Sequence, residues 1–133
     1  MKFKIYQNKI FQIVIPDNWQ VEVDHTFLSF YDPEGSGAVQ ISTYTNEGDN
    51  YDLTNNLKKM TKMCDVKIKK YKGAVETNFF RDGRYWKMKI LKLGRKIGYI
   101  TYNCRSDNID SVEARIVEKI FNSFKFIKNE KRR

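Results

Sequence analysis

The chain has 133 residues, of which 41% are hydrophobic and 14% aromatic, and this composition supplies an ordinary core and excludes a disordered protein. The formal net charge of +9 is unevenly spread: residues 1–57 hold three Lys/Arg and eight Asp/Glu (net −5), whereas residues 58–133 hold twenty-two and eight (net +14). One histidine and two distant cysteines exclude a zinc site of the usual kind. We expect one domain over residues 1–127, a basic tail over 128–133, and no metal or cofactor.

The N-terminal segment begins with lysines but lacks the apolar centre of a signal peptide, because its longest apolar run is Ile13 to Ile15. No stretch of the sequence is long and apolar enough for a transmembrane helix. We therefore expect a cytoplasmic protein without membrane insertion.

The first 45 residues alternate between apolar runs and turn signals. An opening hairpin is predicted with Gln7-Asn8 as its turn, and Pro16 ends its second strand because proline has no backbone donor. The sequence Asp32-Pro33-Glu34-Gly35 predicts a further turn. The predicted strands are Lys2–Tyr6, Lys9–Ile15, Gln20–Asp24, Phe27–Tyr31 and Gly37–Thr45.

A first helix is predicted from about Asp52 to Cys64. Leu53, Leu57, Met60 and Cys64 recur at helical spacing, and Asp52 is a suitable N-cap. Lysines 58, 59 and 62 fall outside this apolar face, so we expect them to face solvent near the helix C-terminus.

Residues 66–104 indicate an antiparallel meander, with Asp82-Gly83 as a type I′ hairpin signal. In its third strand Trp86, Met88 and Ile90 alternate with Lys87 and Lys89. This period of two predicts one buried face and one solvent-exposed face. The predicted strands are Val66–Tyr71, Ala74–Arg81, Arg84–Leu93 and Lys96–Cys104.

A second helix is predicted from Asp110 to Phe124, and a short strand follows at Phe126. Asp110 and Glu113 have capping-box spacing. The order of strands, helix, meander and helix predicts an α+β fold with a largely antiparallel sheet covered by helices. The apolar ridge of this helix is expected to contain Val112, Ile116, Ile120 and Phe124, with Val117 and Phe121 beside it.

Three segments together resemble the PsbP-like superfamily: residues 15–19 (IPDNW), residues 30–42 (FYDPEGSGAVQIS) and residues 120–126 (IFNSFKF). This superfamily includes the photosystem II extrinsic subunit, a nuclear import factor that binds the GTPase Ran, and small bacterial proteins, some of which are chaperones of type VI secretion effectors. The resemblance implies an α/β/α sandwich and a binding or accessory role rather than catalysis. It carries over no functional residue, since the matching positions look architectural: Pro16, Trp19, Pro33, Gly35, Gly37 and Phe124.

Three motifs contain residue types that occur in catalytic, phosphate-binding or redox sites. His25 beside Asp24 and either Ser29 or Ser36 would resemble a hydrolase triad, but no nucleophile motif accompanies it, and a loop histidine is favoured. Gly35-Ser36-Gly37 leads into a strand rather than a helix, so a hairpin turn is favoured over a phosphate loop. Cys64 and Cys104 are interpreted as two buried, reduced thiols.

The basic C-terminal part of the chain is the most informative feature for function. Solvated lysines, an acidic protein partner and single-stranded nucleic acid all agree with basic residues interleaved with aromatics. We expect a non-enzymatic protein-binding, adaptor or chaperone-like domain that docks an acidic protein partner through a basic sheet face; nucleic-acid binding is the alternative, and a hydrolase using His25 is less favoured. The predicted binding residues are Lys67, Lys69, Arg84, Tyr85, Lys87, Lys89, Arg95 and Lys96.

Overall fold

A computed structural model describes residues 1–48, 50–62, 65–105 and 111–128. The order of its strands and helices agrees with the order predicted from the sequence. The first part contains β1 (Phe3–Gln7), β2 (Phe11–Pro16), β3 (Gln20–Val23), β4 (Leu28–Tyr31), β5 (Gly37–Thr45) and α1 (Leu53–Thr61). The second part contains β6 (Lys69–Tyr71), β7 (Ala74–Arg81), β8 (Arg84–Leu93), β9 (Lys96–Arg105), α2 (Ser111–Ser123) and β10 (Lys125–Phe126).

The main sheet has seven antiparallel strands in the order β3-β4-β5-β9-β8-β7-β6. The predicted meander forms one half of this sheet, and β9 joins it to β5. Asp82 and Gly83 have φ angles of 56° and 74°, which confirms the turn with positive φ at both central residues. The strand predicted from Val66 begins later, at Lys69.

A smaller sheet has three strands in the order β1-β2-β10. The opening hairpin is confirmed, but its turn lies at residues 8–10 rather than at Gln7-Asn8, because Gln7 still pairs with Gln12. The short strand at Phe126 is also confirmed and pairs with Phe11. The opening hairpin and the strand that follows α2 are therefore joined by backbone hydrogen bonds. In the part of the chain that the structure describes, β1 and β2 pair with no strand of the main sheet.

The sheet is covered on both faces, which confirms the α/β/α arrangement. On one face α1 packs over Met88, Ile90 and Val75 through the fully buried Leu57. On the other face α2 and β2 share a larger core, which includes Phe30, Val39, Ile41, Ile100, Tyr102, Val117, Ile120, Phe121 and Phe124.

Local sequence sets the helix ends. Asp52 caps α1 by accepting a hydrogen bond from the Asn55 backbone N at 3.0 Å, and Lys62 ends the helix in a left-handed conformation with φ 53°. Within α2, the expectation that Val112 joins the apolar ridge is wrong, because its side chain is 59% exposed on the flank of the helix. Residues Cys64 and Asp110, and most of the predicted basic tail, lie outside the described residues.

Neither α1 nor α2 is long and apolar enough to cross a membrane, in a search restricted to the described residues. Cys104 is buried in the larger core and has a free thiol, as expected for this cysteine.

Candidate functional site

Four of the eight predicted binding residues (Lys69, Tyr85, Lys87 and Lys89) lie on the α2 side of the main sheet, and Lys67 lies at the adjoining sheet edge. Antiparallel pairing places Lys69 beside Glu76 and Glu76 beside Lys89, so these side chains share one face. Tyr85 and Lys87 have the same parity on β8, and Lys67 lines a small cleft with Lys69 and Glu76. Strand alternation therefore places Lys69, Lys87 and Lys89 around Glu76 on this face, whereas Lys67 precedes β6.

Lys87 and Lys89 are not solvent-exposed, and this corrects the prediction. Their exposed fractions are 4% and 8%, because α2 covers the face that the alternation assigned to solvent. Lys87 Nζ lies 3.4 Å from Glu76 Oε2 and 3.1 Å from Glu118 Oε1. Their long aliphatic stems cross the covered surface, and the ammonium groups find partners beneath the helix. We call Glu76, Lys87, Lys89 and Glu118 the lysine–glutamate cluster.

Lys89 is less well paired than Lys87. Its Nζ lies 3.9 Å from Glu76 Oε1 and donates to the Phe121 carbonyl oxygen at 3.3 Å. Phe121 lies in the last turn of α2, where carbonyl groups lack helical partners and the helix dipole favours a cation. The ammonium group also lies 5.9 Å from the centre of the Tyr71 ring. Lys89 is thus held by one distant carboxylate and by a helix end.

The two lysines consequently differ in their proton affinity. Burial acts to lower the pKa of Lys87, but Glu76 and Glu118 outweigh burial and raise that pKa above its usual value. Burial lowers the pKa of Lys89, and Glu76 offsets this only in part. Burial would raise the pKa of Glu118, yet the hydrogen bond from Lys87 leaves it below its usual range. The cluster is internally compensated, which makes it a structural ion network rather than a basic docking face.

The other predicted residues are dispersed. Arg84 lies on the opposite face of the main sheet, where its Nε donates to Asn103 Oδ1 at 2.8 Å. Arg95 is exposed at the β8–β9 turn and donates to the Glu47 carbonyl oxygen. Lys96 is half-buried, and its Nζ donates to the Ile127 carbonyl oxygen at 3.1 Å. The structure therefore does not unite all eight residues on one surface.

An exposed surface does remain beside the cluster, where α2 leaves β6 and the end of β7 that contains Asn78 and Phe80 uncovered. We call this surface the β6–β7 strip. Phe80 is 64% exposed and packs on the half-buried Tyr85 with ring centres 5.2 Å apart, whereas Tyr71 is 52% exposed. The sequence analysis did not predict Phe80 and Tyr71 as binding residues. Strand alternation could have identified them, because Phe80 shares a face of β7 with Glu76 and Tyr71 shares a face of β6 with Lys69. The strip consists of Lys67, Lys69, Tyr71, Asn78 and Phe80.

His25 does not form a hydrolase triad with Asp24 and either Ser29 or Ser36 in the part of the chain that the structure describes. Its imidazole is exposed in the β3–β4 turn, and its backbone N donates to Asp24 Oδ1. Ser29 is buried and accepts from Gln40, while Ser36 donates to Glu113. Across the described residues, no hydrogen bond links His25 to either serine, and no group of three or more His, Cys, Asp or Glu side chains could hold a metal ion.

Comparisons with known proteins support the fold and give no function. A solution structure of cyanobacterial PsbP (CyanoP) from Synechocystis sp. PCC 6803 matches with a TM-score of 0.66 and 11% identity, covering 94% of this chain and 92% of that one. A crystal structure from Bacteroides thetaiotaomicron VPI-5482 matches with a TM-score of 0.62 and 17% identity over 89% of this chain. That second match spans only 45% of the Bacteroides chain. No curated protein matches the sequence.

The fold predicted from the three sequence segments is confirmed by these structural matches as PsbP-like. A family model described as a domain of unknown function, DUF3805, matches residues 1–133. The chain therefore belongs to the DUF3805 family and adopts a PsbP-like fold.

Proposed function

We propose that the domain is a non-enzymatic binding module that docks an acidic protein partner on the β6–β7 strip. The observation that carries this proposal is the partial coverage of one sheet face by α2. Two large aromatic side chains, Phe80 and Tyr71, stay exposed beside the exposed Lys67 and Lys69. Exposed aromatics supply contact area and neighbouring lysines attract carboxylates, a combination typical of protein-binding surfaces.

The compensation within the lysine–glutamate cluster determines which charges are available to a partner. Lys87 and Lys89 interact with Glu76, Glu118 and the end of α2. We therefore expect Lys67 and Lys69 to supply the positive charge that attracts the carboxylates of a partner. The β6–β7 strip also lies at an edge of the main sheet, since β6 ends the strand order. A partner can therefore contact the strip without displacing α2.

The proposal is tested by capture of host proteins on the immobilised full chain. Wild type is compared with Lys67→Glu/Lys69→Glu, with Phe80→Ser, and with the matched control Lys4→Glu/Lys9→Glu, which reverses two exposed lysines in the opening hairpin. We expect wild type and the control to retain the same acidic protein, and both strip variants to lose at least nine tenths of it.

Nuclease treatment separates the alternative function. Retention that disappears after nuclease treatment, and that falls steeply with salt in the wild type, would replace this proposal by nucleic-acid binding. Equal capture by wild type and both strip variants would show that the partner binds elsewhere on the domain.

A further inference from the structure

A polar groove of about 420 Å³ lies on the α1 side of the main sheet. Helix α1 packs against β7 and β8, and the groove lies over β5, β9 and the first residue of β8. The turn between β4 and β5 forms one wall, and side chains from β8 and β9 form the other. The lining residues are Tyr31, Asp32, Pro33, Gly35, Ser36, Gly37, Ala38, Gln40, Arg84 and Asn103.

Strand register fixes the direction of Arg84 in this groove. Trp86 pairs with Asn103, so Asn103 lies diagonally across from Arg84 on the same face. The Arg84 Nε–H donates to Asn103 Oδ1 at 2.8 Å. This bond uses only the Nε–H donor, and the N–H donors of the two terminal nitrogens remain for another acceptor. Among residues 1–48, 50–62, 65–105 and 111–128, no carboxylate oxygen lies within 4.0 Å of the guanidinium and no other acceptor is bonded to it.

Asn103 gains a fixed orientation from the same hydrogen bond. Its oxygen is engaged by Arg84, and its amide nitrogen is a second donor at the groove wall. Arg81 occupies the register position beside Arg84 on β7, and its guanidinium donates to the Thr61 carbonyl oxygen. Asp32 is the acidic side chain in the lining, and its Oδ1 accepts from the Glu34 backbone N at 3.0 Å.

We propose that Arg84 and Asn103 form a binding site for the oxyanion of a small polar molecule, a carboxylate or a phosphate group. The planar guanidinium fork matches such a group, and a half-buried arginine without a carboxylate partner among the described residues lacks the counter-charge that an oxyanion supplies. Asp32 across the groove disfavours an extended polyanion and suits a ligand with a hydrogen-bond donor at its other end. This site lies on the opposite face from the β6–β7 strip, so it is independent of the proposed partner.

Nitrogen-15 NMR of the full chain tests the site. Sodium phosphate and sodium acetate are titrated separately, at an ionic strength held constant with sodium chloride, while the Arg84 Nε–H and Asn103 Nδ2 signals are followed. A saturable shift with phosphate alone assigns a phosphate ligand, and one with acetate alone assigns a carboxylate. We expect Arg84→Gln to weaken binding at least tenfold, whereas Arg95→Gln, which removes an exposed arginine at the β8–β9 turn, changes it less than twofold.

Shifts that stay linear with both anions, or binding that is equal in wild type and Arg84→Gln, would overturn the proposal. If Arg84→Gln does not fold, Arg84→Lys and Asn103→Ala provide the test. The first keeps the charge without the fork and the second removes the orienting amide, so each is expected to weaken binding at least threefold. Unchanged affinity in both would equally overturn the site.

Discussion

Lys87 Nζ lies 3.4 Å from Glu76 Oε2, and both side chains are buried where α2 crosses the main sheet. Two features make this burial tolerable. Each lysine stem adds apolar surface beneath the helix, and each ammonium group reaches a carboxylate or a carbonyl oxygen. The Lys87 ammonium also lies 5.2 Å from the centre of the Phe121 ring. The sheet face is thus closed by charged residues where an apolar contact would be usual.

Glu76→Gln should destabilise the domain by about 3 kcal/mol, because the buried Lys87 then keeps only the largely exposed Glu118 carboxylate and the buried Lys89 loses its carboxylate neighbour. The free energy of unfolding is measured by urea denaturation at pH 7. Glu118→Gln is the matched control, since the Glu118 side chain is 56% exposed. It should reduce stability by less than about 1 kcal/mol. Equal losses of stability in the two variants would show that Glu76 contributes no more to the lysine–glutamate cluster than Glu118 does.

Local signals in the sequence predict local structure well in this fold. The positive φ angles at Asp82 and Gly83 and the N-cap at Asp52 follow from side chains that satisfy their own neighbouring backbone. Trp86 and Met88 share the face packed by α1, as period two requires. Such features depend on residues a few positions apart, so the sequence contains the information directly.

Features that depend on the second covering layer could not be predicted in this way. Alternation shows that Lys87 and Lys89 share a face, but it does not show that α2 covers this face. The same alternating pattern occurs whether the polar side chains face solvent or form ion pairs beneath a helix. The Arg84–Asn103 contact depends on the register between β8 and β9, which no short motif in either strand specifies. Exposure of Phe80 likewise depends on where α2 ends its coverage of the sheet.

Tyr102→Phe should destabilise the domain by about 1.5 kcal/mol at pH 7, since the buried Tyr102 hydroxyl donates to the Glu113 carboxylate. Burial and this hydrogen bond raise the pKa of Tyr102 above its usual value of 10. Above pH 10 the unfolded chain therefore releases a proton that the folded chain keeps, and the contribution of Tyr102 to stability declines as pH rises.

Urea denaturation between pH 9 and pH 11 checks this linkage. The free energy of unfolding should decline less steeply above pH 10 in Tyr102→Phe than in wild type. Tyr71→Phe, which alters an exposed ring, is the control for loss of a hydroxyl and should change stability at pH 7 by less than about 0.5 kcal/mol. If the free energy of unfolding of Tyr102→Phe declined as steeply with pH as that of wild type, the Tyr102 hydroxyl would not contribute to the pH dependence of stability.

Gly37→Ala and Gly83→Ala should both destabilise the domain, for different reasons. A Cβ at Gly37 would lie 2.5 Å from the Asn103 carbonyl oxygen and 2.8 Å from the Tyr102 ring, so overpacking should reduce stability by about 2 kcal/mol. A Cβ at Gly83 meets no atom within 4 Å, but its φ of 74° disfavours alanine by about 1 kcal/mol. Ser36→Ala is a neighbouring control. Thermal unfolding of the three variants should rank Gly37→Ala as the least stable.

Lys89→Met should leave stability at pH 7 unchanged or slightly increased, because methionine keeps most of the apolar stem and removes a weakly paired buried charge. Burial lowers the pKa of Lys89, so between that lowered pKa and 10.5 the unfolded chain binds more protons than the folded chain. The contribution of Lys89 to stability therefore rises with pH up to 10.5, and the variant should lose this rise.

Urea denaturation between pH 8 and pH 10 measures the pH dependence of the free energy of unfolding, with Lys69→Met as the control for loss of one exposed lysine. A strong loss of stability at pH 7 in Lys89→Met would instead show that the ammonium contact with the Phe121 carbonyl oxygen holds α2 on the sheet.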